Sequence, residues 1–444
     1  MSSNELDVRG ISAKHTYGTW RRQKGFNPVH VVDAEGCYFT DSTGKRYLDF
    51  SSQLMCSNLG HKNRAVIDAI KKQAEELAFI APGYTTTARA ELSQELLTVM
   101  PKGLTKFFFG TSGTDANEAA LKIARMVTGK HKIISRYASY HGSTAGSVSM
   151  TGDFRRWLVE GDATVPGTAF APDCNCYRCP MKQQYPGCGI ACADYIEYMI
   201  ERDGNIAAVL VEPIVGTNGV LVPPKEYLPR LREITKKHGV LLIADEVMSG
   251  WGRTGDWFAV DHDGVLPDIL VTAKGITSAY VPLGLTATTD EVARFFDDNF
   301  FAHGHTYESH PLMLAPATAT IREYKRLDLI ARARQMGELM GAKLRALAEK
   351  HPSVGDVRGR GLFWAVELVR DRTTKAPFGT AREKYEGKPL VVDQVTAKMG
   401  ALGVTCVGWI SHLVIAPPLI ITEAEIDQGI AAMDEALAIA DAAM

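Results

Sequence analysis

Short apolar runs recur along the first two-thirds of the chain, each closed by glycine, proline or charge. They are LTKFFFG (104–110), HKIISR (131–136), IAAVLVEP (206–213), VLLIADEV (240–247) and DILVTAK (268–274). Continuous apolar runs bounded by turn signals predict strands buried on both faces, hence a mainly parallel sheet with helices on either side. Helical patterns alternate with them, as in AVIDAIKKQAEEL with apolar Val66, Ile67, Ile70 and Leu77 on a helical period. Residues 29–50 read as a strand hairpin turning at Ser42-Thr43-Gly44, and residues 316–350 as one long helix. FWAVELV, LVIAPPLII and a closing helix EAEIDQGIAAMDEALAIA suggest a second, smaller α/β unit. The expected organisation is an N-terminal segment (1–65) packing with the small domain, a large domain (66–320) and a C-terminal small domain (321–444).

The chain's 444 residues exceed a comfortable single core, which fits two domains. With 45% apolar and 23% charged residues it is ordinary globular material. A net charge of −2 gives no attraction for nucleic acid. No apolar run reaches the roughly 18 residues of a membrane span. The N-terminal MSSNELDVRG lacks the apolar core of a secretory signal. The expectation is a cytoplasmic protein without membrane or nucleic-acid partners. Of eight cysteines, five crowd together as Cys174, Cys176, Cys179, Cys188 and Cys192. Such a cluster is capable of binding zinc, but its spacing matches no familiar ribbon or finger, and the expectation is reduced thiols with no metal.

Ligands of open α/β sheets bind beyond the carboxyl ends of the strands, so the residues after each run carry the candidate chemistry. After KFFFG, the stretch Thr111-Ser112-Gly113-Thr114 opens a helix and offers a phosphate cradle, or simply an N-cap. VLLIAD ends in Asp245, a buried carboxylate that needs a cationic or N–H partner. DILVTAK places Lys274 at a strand end, where desolvation favours a nucleophilic amine. Each feature alone has an ordinary structural reading. Together they are the three anchors of pyridoxal phosphate: one for the phosphate, one for the pyridine nitrogen and one for the imine. Tyr140, in SYHG, adds an aromatic ring that could stack on the cofactor.

The stretches FFFGTSGTDANEAALKIAR, SYHGSTAGS, LIADEVMSGWGRTG, DILVTAKGI and APPLIIT resemble those of class III aminotransferases, within the fold type I pyridoxal-phosphate enzymes. The resemblance implies that fold, with a mainly parallel seven-stranded sheet in the large domain. It also implies catalytic Lys274 and Asp245, phosphate contacts from Ser112, Gly113 and Thr114, and Tyr140 and Val247 on opposite ring faces. Glu212 would position the cofactor's surroundings, and Thr306 would reach the phosphate of a neighbouring subunit in a homodimer or dimer of dimers. The implied activity is ping-pong transfer from an amine donor to a 2-oxo acid, with pyridoxamine 5′-phosphate as the aminated cofactor.

Two positions depart from the family pattern. Many members carry an arginine nine residues before APP to bind a carboxylate, and here that position is Val407. Relatives handling ornithine or γ-aminobutyrate pair it with a glutamate, and here that position is Thr217. Trp20, Arg155, Arg156, Trp409 and His412 are alternative groups for an anion site, with Trp20 and Arg156 the leading pair. The pattern looks most like the branch acting on taurine and other ω-amino compounds, with 2-oxoglutarate or pyruvate as acceptor. β-Alanine or diamine transaminases, and racemases, aminomutases or decarboxylases on the same fold, are the alternatives, as is a binding protein without turnover.

Overall fold

The computed structural model describes residues 6–160 and 164–444. Residues 1–5, which begin the N-terminal stretch read above, lie outside it. A short helix, Val8–His15, precedes three strands, β1 (Val31–Glu35), β2 (Tyr38–Asp41) and β3 (Arg46–Asp49), which form an antiparallel meander. The expected hairpin is thus one strand short. Its first run folds back on itself at Gly36, whose φ of 56° suits glycine. The second turn is pinned by Asp41, which accepts the backbone N–H groups of Thr43 and Lys45 and the Thr43 hydroxyl.

Seven strands follow: β4 (Leu104–Gly110), β5 (Lys132–Arg136), β6 (Thr168–Ala171), β7 (Ile206–Val211), β8 (Leu241–Asp245), β9 (Ile269–Thr272) and β10 (Gly284–Thr289). They form one sheet in the order β4-β10-β9-β8-β7-β5-β6. Only β10 runs against its neighbours, pairing antiparallel with β4 and β9, so the sheet is mainly parallel. Every residue of β7 is buried, as expected for a strand covered on both faces. The crossover helices carry ordinary signals. Ser112 caps Gly113–Thr128 by accepting the Asp115 N–H, and Gly129 ends it at φ 65°.

The predicted single helix over 316–350 is two, Pro311–Arg326 and Leu329–Lys350. The break falls at Leu327-Asp328, where Asp328 takes φ 48°, a conformation that aspartate tolerates better than most residues. Strands β11 (Val354–Arg360), β12 (Phe363–Asp371), β13 (Ala376–Pro377), β14 (Val404–Thr405), β15 (Val407–Trp409) and β16 (His412–Ile415) complete the chain before the closing helix Glu423–Asp441. β11, β12, β16 and β15 make an antiparallel sheet, with β13 beside β12. β14 instead runs parallel to β3, with Val404 opposite Leu48, so the N-terminal meander and the C-terminal segment share a sheet.

Buried Arg253 ties these parts together. Its guanidinium donates to the carbonyls of Leu362 (3.0 Å) and Pro417 (2.6 Å), to Ser52 Oγ (3.1 Å) and to Asn58 Oδ1 (2.6 Å). Burial lowers its pKa to about 10, still well above physiological pH.

Candidate active site

The carboxyl ends of β4, β8 and β9 deliver three groups to one cavity of about 230 Å³, as the strand-end rule requires. Gly113 and Thr114 come from the helix after β4, Asp245 and Val247 from the end of β8, and Lys274 from the end of β9. Tyr140 and Glu212, beyond β5 and β7, line the same space.

Asp245 is held from three sides. Its Oδ2 accepts from Asn117 Nδ2 at 2.9 Å and lies 2.7 Å from His141 Nδ1, while Oδ1 accepts the Val247 N–H at 3.0 Å. Asn117 also donates to the His141 carbonyl, which fixes the imidazole beside the carboxylate. Neither Asn117 nor His141 was singled out from sequence. The N–H partners that a buried Asp245 needs come from TDANEAA and SYHG, which the fold brings together.

Glu212 is fully engaged as well, accepting from the Tyr140 N–H (3.0 Å) and the Gly216 N–H (2.7 Å). Burial raises its pKa, and neighbouring Asp245 pushes the same way. Arg136 beneath it donates to the Glu212 carbonyl. Lys274 has φ 50°, which turns its side chain from the strand end into the cavity, and burial lowers its pKa. Its amine is therefore closer to the neutral, nucleophilic form than a surface lysine's.

The helix start fits a phosphate. The amides of Gly113 and Thr114 have no intrahelical acceptor, and both residues line the cavity. A side chain at Gly113 would place its Cβ 3.0 Å from Val247 Cγ2, and one at Gly142 would collide with Thr114 Oγ1. Ser112 does not line the cavity, because its Oγ is committed to the cap. Thr114 Oγ1 accepts the N–H groups of Ser143 (3.1 Å) and Thr144 (3.2 Å), which binds the Tyr140 loop to the helix. Carboxylate, lysine, open helix end and aromatic ring thus suit a phosphorylated pyridine aldehyde.

Above the cavity, Arg155 lies with its guanidinium carbon 3.7 Å from the Tyr140 ring centre, 4.6 Å from that of Trp409 and 5.6 Å from that of Trp20. It is only 5% exposed and pairs with Asp153, both carboxylate oxygens lying 3.0 Å from its Nε. Asp153 also accepts from Asn218 Nδ2, and Asn218 Oδ1 accepts from Trp409 Nε1. Arg156 is a correction. It turns away, donating to the Thr151 carbonyl and pairing with Glu160 while its guanidinium covers Phe170. Successive residues of the short Phe154–Trp157 helix point about 100° apart, so Arg155 and Arg156 cannot face one site. Trp20 meets Tyr140 edge-on at 6.0 Å. Thr306 is exposed and does not line this cavity. His412 Nε2–H donates to the Thr217 carbonyl (2.9 Å), and His412 does not line the Lys274 cavity. Burial lowers its pKa to about 4.

The sequence profile of aminotransferase class-III matches residues 20–437. The chain belongs to that family. Taurine–pyruvate aminotransferase of Bilophila wadsworthia is 34% identical over 98% of both chains. Leucine/methionine racemase of Thermococcus litoralis is 34% identical over 93% of this chain and 91% of its own. Among solved structures, taurine:2-oxoglutarate aminotransferase from Bifidobacterium kashiwanohense, in complex with PLP and glutamate, superposes with a TM-score of 0.93. It is 36% identical, with 99% of each chain covered. The protein is accordingly a class III aminotransferase whose cofactor is pyridoxal 5′-phosphate.

Proposed function

We propose that this class III aminotransferase moves the amino group of an ω-amino donor with an anionic far end, taurine first among them, to pyruvate or 2-oxoglutarate. The observation that carries this reading is Arg155. It supplies a buried cation over Tyr140 at the mouth of the Lys274 cavity, in a chain whose usual carboxylate-binding arginine is replaced by Val407. A guanidinium presents paired donors to sulfonate or carboxylate alike. Asp153 holds Arg155 when no anion is present, so an incoming anionic group competes with an internal partner rather than meeting a bare buried charge.

The cofactor, when bound, supplies a sink for the electron pair left at the donor's amine-bearing carbon. The chain's own groups do the rest. Gly113 and Thr114 would hold the phosphate, and Asp245, kept in place by Asn117 and His141, would sustain a proton on the pyridine nitrogen. Tyr140 and Val247 would take opposite faces of the ring, and Glu212 sets the Tyr140 backbone. Lys274 Nζ would hold the cofactor covalently and would take up and return the proton at the donor carbon. Trp20 and Trp409 screen Arg155 from water.

A homodimer is part of the proposal. Thr306 is exposed beside Tyr307 (58% exposed), in a segment shortly after Phe300 (88% exposed), consistent with its serving a neighbouring subunit's phosphate. A cytoplasmic setting is also proposed. No described helix is long and apolar enough to cross a membrane, and the cysteines are free thiols.

The deciding experiment gives cofactor-loaded protein taurine without any oxo acid. The cofactor's visible band should fade as about one equivalent of donor is deaminated per site, and later pyruvate or 2-oxoglutarate should restore it with formation of alanine or glutamate. Loss of the band with other ω-amines but not taurine would move the donor assignment. The competing reading is racemisation, favoured by the 34% identity to a racemase. It predicts inversion of an amino acid's configuration with no deaminated product and no lasting change in the band.

A further inference from the structure

The five clustered cysteines play no part in the site just described. Four of them lie on the connection between β6 and the Ala191–Asp203 helix, residues 172–190, which contains no strand or helix, and Cys192 lies in the first turn of that helix. The connection is longer than the about 12–15 residues at which irregular loops become uncommon without a function or a staple. Cys174, Cys176, Cys179, Cys188 and Cys192 all line one small cavity of about 20 Å³, room for a single water or a single ion.

The thiols differ in setting. Cys174 is buried and packs into an apolar cluster with Ile134, Ile196 and Tyr227. Cys179, Cys188 and Cys192 are half-buried and Cys176 is exposed, so these four lie nearer solvent than Cys174, whose thiol hydrogen-bonds with that of Cys192. The four form two short-spaced pairs, Cys176-x2-Cys179 and Cys188-x3-Cys192, each at a tight turn. One turn follows the first pair, where the Lys182 N–H donates to the Cys179 carbonyl, and one precedes the second, where the Cys188 N–H donates to the Gln184 carbonyl. Two turns bringing two thiols apiece to one ion-sized space is the layout of a tetrahedral thiolate site.

We propose that Cys176, Cys179, Cys188 and Cys192 bind a structural zinc ion, with Cys174 as packing beside them. Binding replaces four S–H bonds by four Zn–S bonds and releases four protons to solvent. The sulfurs are not yet gathered. Among the described residues, the group of potential ligand atoms lying within 4.8 Å of one another is Glu197, Glu201 and His238. Glu197 there is already satisfied by Arg230, Lys237 and His238. Four sulfurs each about 2.3 Å from zinc stand about 3.8 Å apart, so side-chain rotation must close the small cavity around the ion.

The ion would steady contacts that reach the active site. Asp173, next to Cys174, accepts the Ala138 N–H at 2.7 Å and so sets the strand end that carries Tyr140. From the same connection, Arg178 pairs with Glu367 of β12, and Lys375 donates to the Tyr177 carbonyl.

Metal content of the purified full-length holoenzyme, after exhaustive dialysis, tests this directly, together with X-ray absorption at the zinc edge. The expected result is about one zinc per chain in an all-sulfur shell near about 2.3 Å. Cys179→Ser combined with Cys188→Ser should lose the metal, while Cys174→Ser should keep it. The wild-type measurement stands without any variant, should the double substitution fail to fold. Wild-type protein with less than about one zinc per ten chains and freely titrating thiols would overturn the proposal, as would disulfides among these cysteines. So would a zinc shell of nitrogen and oxygen.

Discussion

Arg155 and Arg156 are neighbours with opposite destinies, which gives a sharp pair of variants. Arg155→Met should raise the KM for taurine by roughly 10–100-fold, the loss of a charge-assisted contact of about 1.5–3 kcal/mol. The KM of an uncharged amine donor should change less than about threefold. Arg156→Met should leave both donors alone, because its guanidinium is spent on Glu160 and the Thr151 carbonyl. Steady-state kinetics with both donors reads the difference, and equal effects from the two variants would remove Arg155 from the anion site. Glu246 makes a second prediction. Burial raises its pKa from 4.5 to about 7, although Oε1 accepts the Val260 N–H and Oε2 the Ser249 hydroxyl. Between pH 4.5 and about 7 the folded chain therefore binds a proton that the unfolded chain has released, and stability falls as pH rises across that window. The fall should be at most about 3 kcal/mol, at 1.36 kcal/mol per pKa unit. Urea unfolding at pH 5 and pH 8 should show it, and Glu246→Gln should flatten it.

At the scale of elements, Arg253 is the joint between segments distant in sequence. Arg253→Met would strand two buried carbonyls and the partners Ser52 and Asn58, for a loss of about 3 kcal/mol or more. A drop in the urea midpoint without a change in slope checks this, and a loss under about 1 kcal/mol would mean that water replaces the guanidinium. How far such elements could be read in advance followed composition. The five strands rich in Val, Ile, Leu or Phe were legible because side chains buried on both faces leave an unbroken apolar run. TAFA (β6) and GLTATT (β10) were missed, since alanine and threonine fill a buried strand without announcing it. The break at Asp328 was hidden because no glycine or proline marks it. The site was legible to the same degree. Lys274, Asp245 and Gly113 stand at strand ends in recognisable stretches, whereas Asn117 and His141 act on Asp245 through space, which one-dimensional spacing does not encode. Arg156 was preferred to Arg155 because sequence does not show which face of a one-turn helix meets the cleft.

For the whole molecule, the proposed sharing of sites between subunits predicts complementation. Lys274→Ala alone and Thr306→Glu alone should both be inactive. Co-expressed, they should form hybrids in which one of two sites pairs an intact Lys274 with an intact Thr306 from the other chain. Random pairing gives roughly a quarter of wild-type activity. A threonine serving its own chain's phosphate gives none, and size-exclusion chromatography with light scattering establishes the assembly.

The parallel pairing of β3 with β14 also orders events during synthesis. Thr405 Oγ1 reaches the Leu48 carbonyl across 357 residues of chain. At about 5–20 residues per second, that interval takes about 20–70 s on the ribosome. For that time the N-terminal meander presents an open strand edge to the crowded cell, while the seven-stranded sheet has already emerged and begun to fold. A nascent chain of this protein therefore depends on whatever shields that edge until its last forty residues arrive.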